Sequence, residues 1–343
     1  MKLVSYTRNG DAEPRLGAIV RLPPGSGLGP DAVVDLENAY AAYLRGVVKD
    51  PFAKQIAAVR IPTDMKRLLE GGELSLNAAK DAVAHIETLR IGDTADDVSR
   101  QIVMPLEAMR LQAPIARPGK IIAVGANYSG HIKEARDAGM LNDLPTHPVG
   151  FLKMPSAVIG PDETIWRSRY TDELDYEIEM SMVIGKRCRD VSRERWRDVV
   201  AGFTIVNDIS MRDLIVEEKS TGAVLLGKNL DTTCPMGPCI VTLDEIGNPD
   251  ALDIKLSVNG EIRQSDNTRN MIFSCADIIA YWSSRMTLEP GDIVTTGTTS
   301  GGAGFHKRHP ARLLKADDVI EAECEGIGIL RNRVADEHPR LKS

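Results

Sequence analysis

A change of texture at Pro114 narrows the fold more than any other feature of this sequence. From there onward the chain consists of short runs rich in β-branched residues, separated by Gly, Pro, Asn and Asp, which is the writing of a domain made mostly of strands. Strands are expected at Lys120–Val124, Glu173–Gly185, Ala201–Asp208, Cys239–Leu243, Asp253–Val258, Asp292–Thr296 and Val319–Cys324. Asn259-Gly260 lies between Leu256-Ser257-Val258 and Glu261-Ile262-Arg263, a two-residue hairpin signal, because both turn positions need positive φ. Ser274 followed by Asp277 has the form of a capping box opening a helix that runs to about Arg285.

The segment before Pro114 reads differently. Strand-like runs at Gly17–Val20 and Ala32–Leu36 are followed by helical patterns at Glu37–Arg45, Asp64–Glu70 and Leu76–Leu89, where apolar residues recur at three and four. A Pro/Gly-rich stretch, Leu22–Pro30, reads as a loop. Single cores seldom grow beyond about 250–300 residues, so the 343 residues are expected to divide into a smaller N-terminal α+β domain, residues 1–112, and a larger, mostly β domain, residues 113–343. The expected class is α+β, mostly β.

Composition bounds the function. Charged residues at 27% and hydrophobic ones at 43% match an ordinary globular protein. A net charge of −7 with no long basic stretch argues against nucleic acid as a partner. A small anionic substrate would need a local cation to offset that field. The cysteines, Cys188, Cys234, Cys239, Cys275 and Cys324, show no zinc-ligand spacing and read as reduced thiols. The first ten residues lack the apolar core of a signal peptide, and no window approaches the roughly 20 apolar residues that span a bilayer. The expected compartment is the cytoplasm, with no membrane partner.

Chemistry enters with three carboxylates. In Asp175-Tyr176-Glu177-Ile178-Glu179 the alternation has period two, which puts Glu177 and Glu179 on one face of a strand. Carboxylates that close raise each other's pKa unless a cation favours both charged forms. Asp208 ends the apolar run Gly202–Asn207 and so falls at the rim of a sheet. Three oxygen ligands on rigid elements suit Mg²⁺ or Mn²⁺. From spacing alone, a solvated acidic face remains the alternative.

An ordered series of segments resembles the fumarylacetoacetate hydrolase superfamily over about Pro114 to Val334. It comprises Lys120–Tyr128 with His131 and Glu134, Phe151-Leu152-Lys153, Leu174–Glu179, Asn207–Asp213, Gly227-Lys228, Gly237-Pro238, Val258–Glu261, Thr287–Asp292 and Thr296-Gly297-Thr298. The resemblance implies a mixed β-sandwich or β-roll catalytic domain, a homodimer, and Glu177, Glu179 and Asp208 as ligands of Mg²⁺ or Mn²⁺. It implies a hydrolase that cleaves a carbon–carbon bond in a small anionic 2-oxo or 1,3-dicarbonyl acid, in the manner of fumarylacetoacetate or acylpyruvate breakdown in aromatic-compound catabolism. Decarboxylases, isomerases and (de)hydratases share the same metal site, and a non-catalytic ligand-binding protein could keep the fold.

The resemblance also assigns roles. The metal polarises a carbonyl as a Lewis acid. His131 and Glu134, on one face if their segment forms a helical turn, become the pair that activates water. Lys228 is a catalytic cation, while Arg212, Thr298 and Tyr128 contact the substrate, Arg212 through its fork geometry. Arg212 and Lys228 could equally pair with Asp213 or Asp231. Phe305, His306 and His309 are further candidates for the pocket wall. Three departures stand out: no acid in Lys120–Gly130 supplies the fourth ligand of some larger relatives, Ile215 replaces a common glutamine, and Thr299–His306 replaces a proline-containing run.

Overall fold

The computed structural model describes residues 1–8, 10–11, 13–22, 30–88, 102–137, 144–303 and 310–337. The expected loop after Leu22, the end of the third helical pattern at Leu89, and Phe305, His306 and His309 lie outside them.

Among the described residues a twelve-stranded sheet organises the molecule. Its main path runs Val103–Pro105, Asp31–Asp35, Arg15–Arg21, Lys2–Thr7, Cys234–Thr242, Val200–Asn207, Ile178–Ile184, Ile293–Thr295, Ile121–Val124 and Gly150–Lys153. The N-terminal strands are thus continuous with the rest: Lys2 pairs with Val241 and Leu3 with Ile240. A five-stranded sheet follows the order Glu261–Asn267, Asp253–Val258, Val319–Cys324, Gly328–Asp336 and Thr164–Arg167.

The pleat sorts side chains into two cores. Ile178, Met180, Met182 and Ile184 face Ile254, Leu256, Ile320 and Ala322 of the second sheet, and Ile278 of helix Cys275–Arg285. On the opposite face Val183, Val206, Met236 and Ile240 pack with Leu36, Ala39, Leu68 and Ala79 from the N-terminal helices. The result is a mixed α/β structure, a sheet sandwich on one side and helices on the other. Each fully buried Val, Leu, Ile or Met side chain among them contributes about 1.5–3 kcal/mol.

Local signals are realised where they were read. Asn259 and Gly260 have φ 51° and 79°, as the hairpin turn requires. Ser274 and Asp277 form the reciprocal capping box of helix Cys275–Arg285. All five cysteines are free. One expected strand, Glu173–Gly185, is broken into Leu174–Asp175 and Ile178–Ile184. The reason is that side chains capture the backbone at the break: Tyr176 N–H donates to the Asp175 carboxylate at 2.8 Å, and Glu177 N–H to Asn207 Oδ1 at 3.0 Å. The strands Lys2–Thr7, Gly150–Lys153 and Thr164–Arg167 and the helix Ala53–Arg60 lacked a legible pattern.

Candidate metal centre and active site

The break in the strand builds the site. Glu177 stands in it, Glu179 follows in strand Ile178–Ile184, and Asp208 follows the neighbouring strand Val200–Asn207. Antiparallel pairing of Ile178 with Asn207 brings Asp208 beside Glu177, and Asp208 N–H donates to the Glu177 carbonyl at 2.8 Å. All three carboxylates are buried, with ligand oxygens within 4.8 Å of one another. The expected face-sharing of Glu177 and Glu179 is therefore present, and the solvated-face alternative is not.

Each acid has a different environment. Burial, followed by the charges of Asp208 and Glu177, pushes the Glu179 carboxyl well above the ordinary range. Burial pushes Glu177 up as well, but Arg212 and Lys228 outweigh it and hold that carboxyl below its ordinary range. Lys228 Nζ donates to Glu177 Oε2 at 2.6 Å and to Asp208 Oδ2 at 2.7 Å. Arg212 donates through Nε to Asp175 Oδ2 at 2.8 Å, and through its terminal nitrogen to Glu177 Oε1. Of the partners expected for the two cations, neither Asp213 nor Asp231 is used. Asp213 instead accepts from Thr171 Oγ1 at 2.6 Å.

A divalent cation fits these residues. The donor set is three hard carboxylates on strand ends, the chemistry Mg²⁺ and Mn²⁺ prefer. Lys153 Nζ pairs with Asp208 Oδ1 at 2.7 Å and also donates to the Lys228 carbonyl. Four carboxylates, Asp175, Glu177, Glu179 and Asp208, face three cations, Lys153, Arg212 and Lys228, and the fourth negative charge requires either a proton on Glu179 or a metal cation.

His131 and Glu134 share a face of helix Ser129–Asp137, as the spacing predicted. His131 Nδ1 lies 3.9 Å from Glu134 Oε2. Burial lowers the imidazole pKa to about 4, with Arg212 and Lys228 adding to the effect against Glu177. The ring is thus neutral at neutral pH, the form a general base needs. Glu134 is held from the other side by Gly301 N–H, at 3.0 and 3.2 Å to its two oxygens.

The remaining candidates are closer to the frame than sequence suggested. The Thr298 hydroxyl donates to the Ile178 carbonyl at 2.9 Å and accepts from Gln264 Nε2 at 2.9 Å, so it already holds two bonds within the protein. Tyr128 is fully buried next to the dyad helix. Ile215 packs against Gly227, where an added Cβ would lie 2.4 Å from Ile215 Cγ1. It therefore supports the short helix Leu226–Asn229 that carries Lys228.

Sequence reading missed several contributors. Asp175 shares the period-two alternation with the two glutamates, and that signal could have found it. Glu218 caps the Lys228 helix, accepting from Leu225, Leu226 and Gly227 N–H at 3.0, 2.6 and 3.0 Å. Lys153, which lies in the family-like segment Phe151-Leu152-Lys153 but was given no role there, and Gln264, which no local pattern announces, reach the site from distant segments.

Comparison with known proteins agrees with this geometry. The family model described as Fumarylacetoacetate (FAA) hydrolase C-terminal matches residues 120–335. Mitochondrial oxaloacetate tautomerase Fahd2a of Rattus norvegicus is 37% identical over 274 residues, 80% of each chain. Maleylpyruvate hydrolase from Sphingobium sp. SYK-6, solved with manganese(II) and pyruvate, has TM-score 0.67 at 27% identity, covering 98% of this chain and 100% of that one. The 5-carboxymethyl-2-hydroxymuconate delta-isomerase of Mycobacterium smegmatis has TM-score 0.66 at 26% identity, with 98% and 100% covered. Among the described residues no helix is long and apolar enough to cross a membrane. With a matched family model over most of its length and the acidic triad in place, this chain belongs to the fumarylacetoacetate hydrolase family.

Proposed function

We propose that this protein is a divalent-metal-dependent enzyme that interconverts the keto and enol forms of a small 2-oxo dicarboxylic acid of the oxaloacetate type. The observation that carries the reading is the buried convergence of Glu177, Glu179 and Asp208. Mg²⁺ or Mn²⁺ held by these three would act as a Lewis acid on the 2-oxo group. Tautomerisation then requires one proton to move between carbon and oxygen, with no carbon–carbon bond broken. His131, buried and neutral, can accept and return that proton, with the Glu134 carboxylate 3.9 Å from its Nδ1 to support the ring. Lys228 and Arg212 hold the carboxylates in place and contribute positive charge for an anionic substrate. The tautomerase relative, similar across 80% of each chain, supports isomerisation over hydrolysis.

Carbon–carbon hydrolysis is the second reading, favoured by the His131–Glu134 pair, which could equally activate water, and by the maleylpyruvate hydrolase likeness. One experiment separates the two. Enol oxaloacetate is added to protein with Mn²⁺ and its conversion is followed optically, while acylpyruvates are assayed in parallel for released pyruvate. The expected result is enol decay well above the buffer rate, lowered at least about 100-fold in Glu179→Gln and abolished by a chelator. Enol decay at the buffer rate, with Mn²⁺ demonstrably bound, rejects the tautomerase reading, and pyruvate release would select hydrolysis.

A further inference from the structure

Ile178 stands between the two candidate metal-binding glutamates, and its peptide groups are held by a closed ring of side-chain hydrogen bonds. Ile178 N–H donates to Gln264 Oε1 at 3.1 Å, Gln264 Nε2 donates to Thr298 Oγ1 at 2.9 Å, and Thr298 Oγ1 donates back to the Ile178 carbonyl at 2.9 Å. Gln264 also donates to the Thr299 carbonyl at 3.0 Å. It is 1% exposed and comes from the edge strand of the other sheet.

A β-bulge aims it there. Register shifts so that Leu256 pairs with Gln264 and Ser257 with Ile262, leaving Arg263 without a partner across the ladder. Bulges re-aim side chains in this way. The bulge carbonyl of Arg263 meets the 298–303 loop at Gly301, where a Cβ would lie 2.1 Å from it. That same Gly301 N–H grips Glu134.

We infer that Gln264 is a positioning residue for the metal centre: through the ring with Thr298 it fixes the peptide between Glu177 and Glu179, and with it the spacing of their carboxylates. The inference rests on the metal reading of the triad and not on which reaction follows. Supporting groups of this kind typically change metal affinity or activity by 10–100-fold.

The test is Mn²⁺ affinity, measured by titration on protein verified as folded and well below its melting temperature. Gln264→Leu should weaken Mn²⁺ binding about tenfold or more. Thr298→Val, which opens the ring while keeping shape, should weaken it in the same sense, and Thr298→Ser should restore it. A merely structural role would lower the melting temperature of these variants while leaving the affinity of the folded protein unchanged. Affinities of Gln264→Leu and Thr298→Val within twofold of the unsubstituted protein overturn the inference; should Gln264→Leu not fold, the Thr298 pair decides alone. Because turnover is not the readout, a protein that binds Mn²⁺ but leaves oxaloacetate untouched rejects the proposed reaction and not this role.

Discussion

Lys228 keeps its charge although it is buried. Burial by itself lowers an ammonium pKa, but Asp208 and Glu177 raise that of Lys228, and the outcome is a net increase. The ammonium also lies 5.2 Å from the Phe151 ring centroid. Replacing it by Met would leave two buried carboxylates without their shared cation, and breaking a buried pair costs about 3–5 kcal/mol. Lys228→Met should lose stability of that order in a chelator. Mn²⁺ should recover part of the loss, because a divalent cation neutralises the same oxygens. Denaturant titrations with and without Mn²⁺ check this, and an equal loss in both would contradict a shared role in holding the charge balance.

The loop 298–303 joins the helix Ser129–Asp137 to the strand break at Asp175-Tyr176. Gly301 takes Glu134 from helix Ser129–Asp137, Ala303 N–H donates to Asp175 Oδ1 at 2.8 Å, and Tyr176 Oη donates to the Gly301 carbonyl at 3.3 Å. Gly301 has φ 103°, a backbone conformation that side chains rarely adopt, and any Cβ would strike the Arg263 carbonyl. Gly301→Ala should therefore destabilise by about 1–3 kcal/mol, the usual cost of a strained backbone. It should also lower turnover through Glu134 more than it lowers Mn²⁺ affinity. Urea unfolding and Mn²⁺ titration of the variant give the two numbers, and an unchanged unfolding midpoint would show that the loop can relax.

Across the whole molecule the twelve-stranded sheet ties the N-terminal segment to the part that carries the acidic triad. Lys2–Thr7 pairs with Cys234–Thr242, and the N-terminal helices cover the face that carries Val183 and Val206. A chain lacking residues 1–112 would expose that apolar face and leave the strand Cys234–Thr242 with an open edge, a template for aggregation. The two parts should unfold together. Calorimetry is expected to show a single transition with equal calorimetric and van't Hoff enthalpies, and two separated transitions would show the parts to be independent.

Much of this was legible in local spacing. The shared face of Glu177 and Glu179, the i,i+3 placement of His131 and Glu134, the Asn-Gly turn and the Ser274 capping box express interactions between residues near in sequence, whereas the metal and proton-transfer roles of those side chains and of Asp208 came with the family resemblance. The physics of those placements is that of a single pleat, turn or helical turn, so the residue order alone suffices for them. The break at Tyr176-Glu177, the ring through Gln264, the cap from Glu218, and Lys153 beside Asp208 depend on which segments become neighbours. Only the folded sheets decide that, because a buried polar group takes whichever partner packing delivers to it.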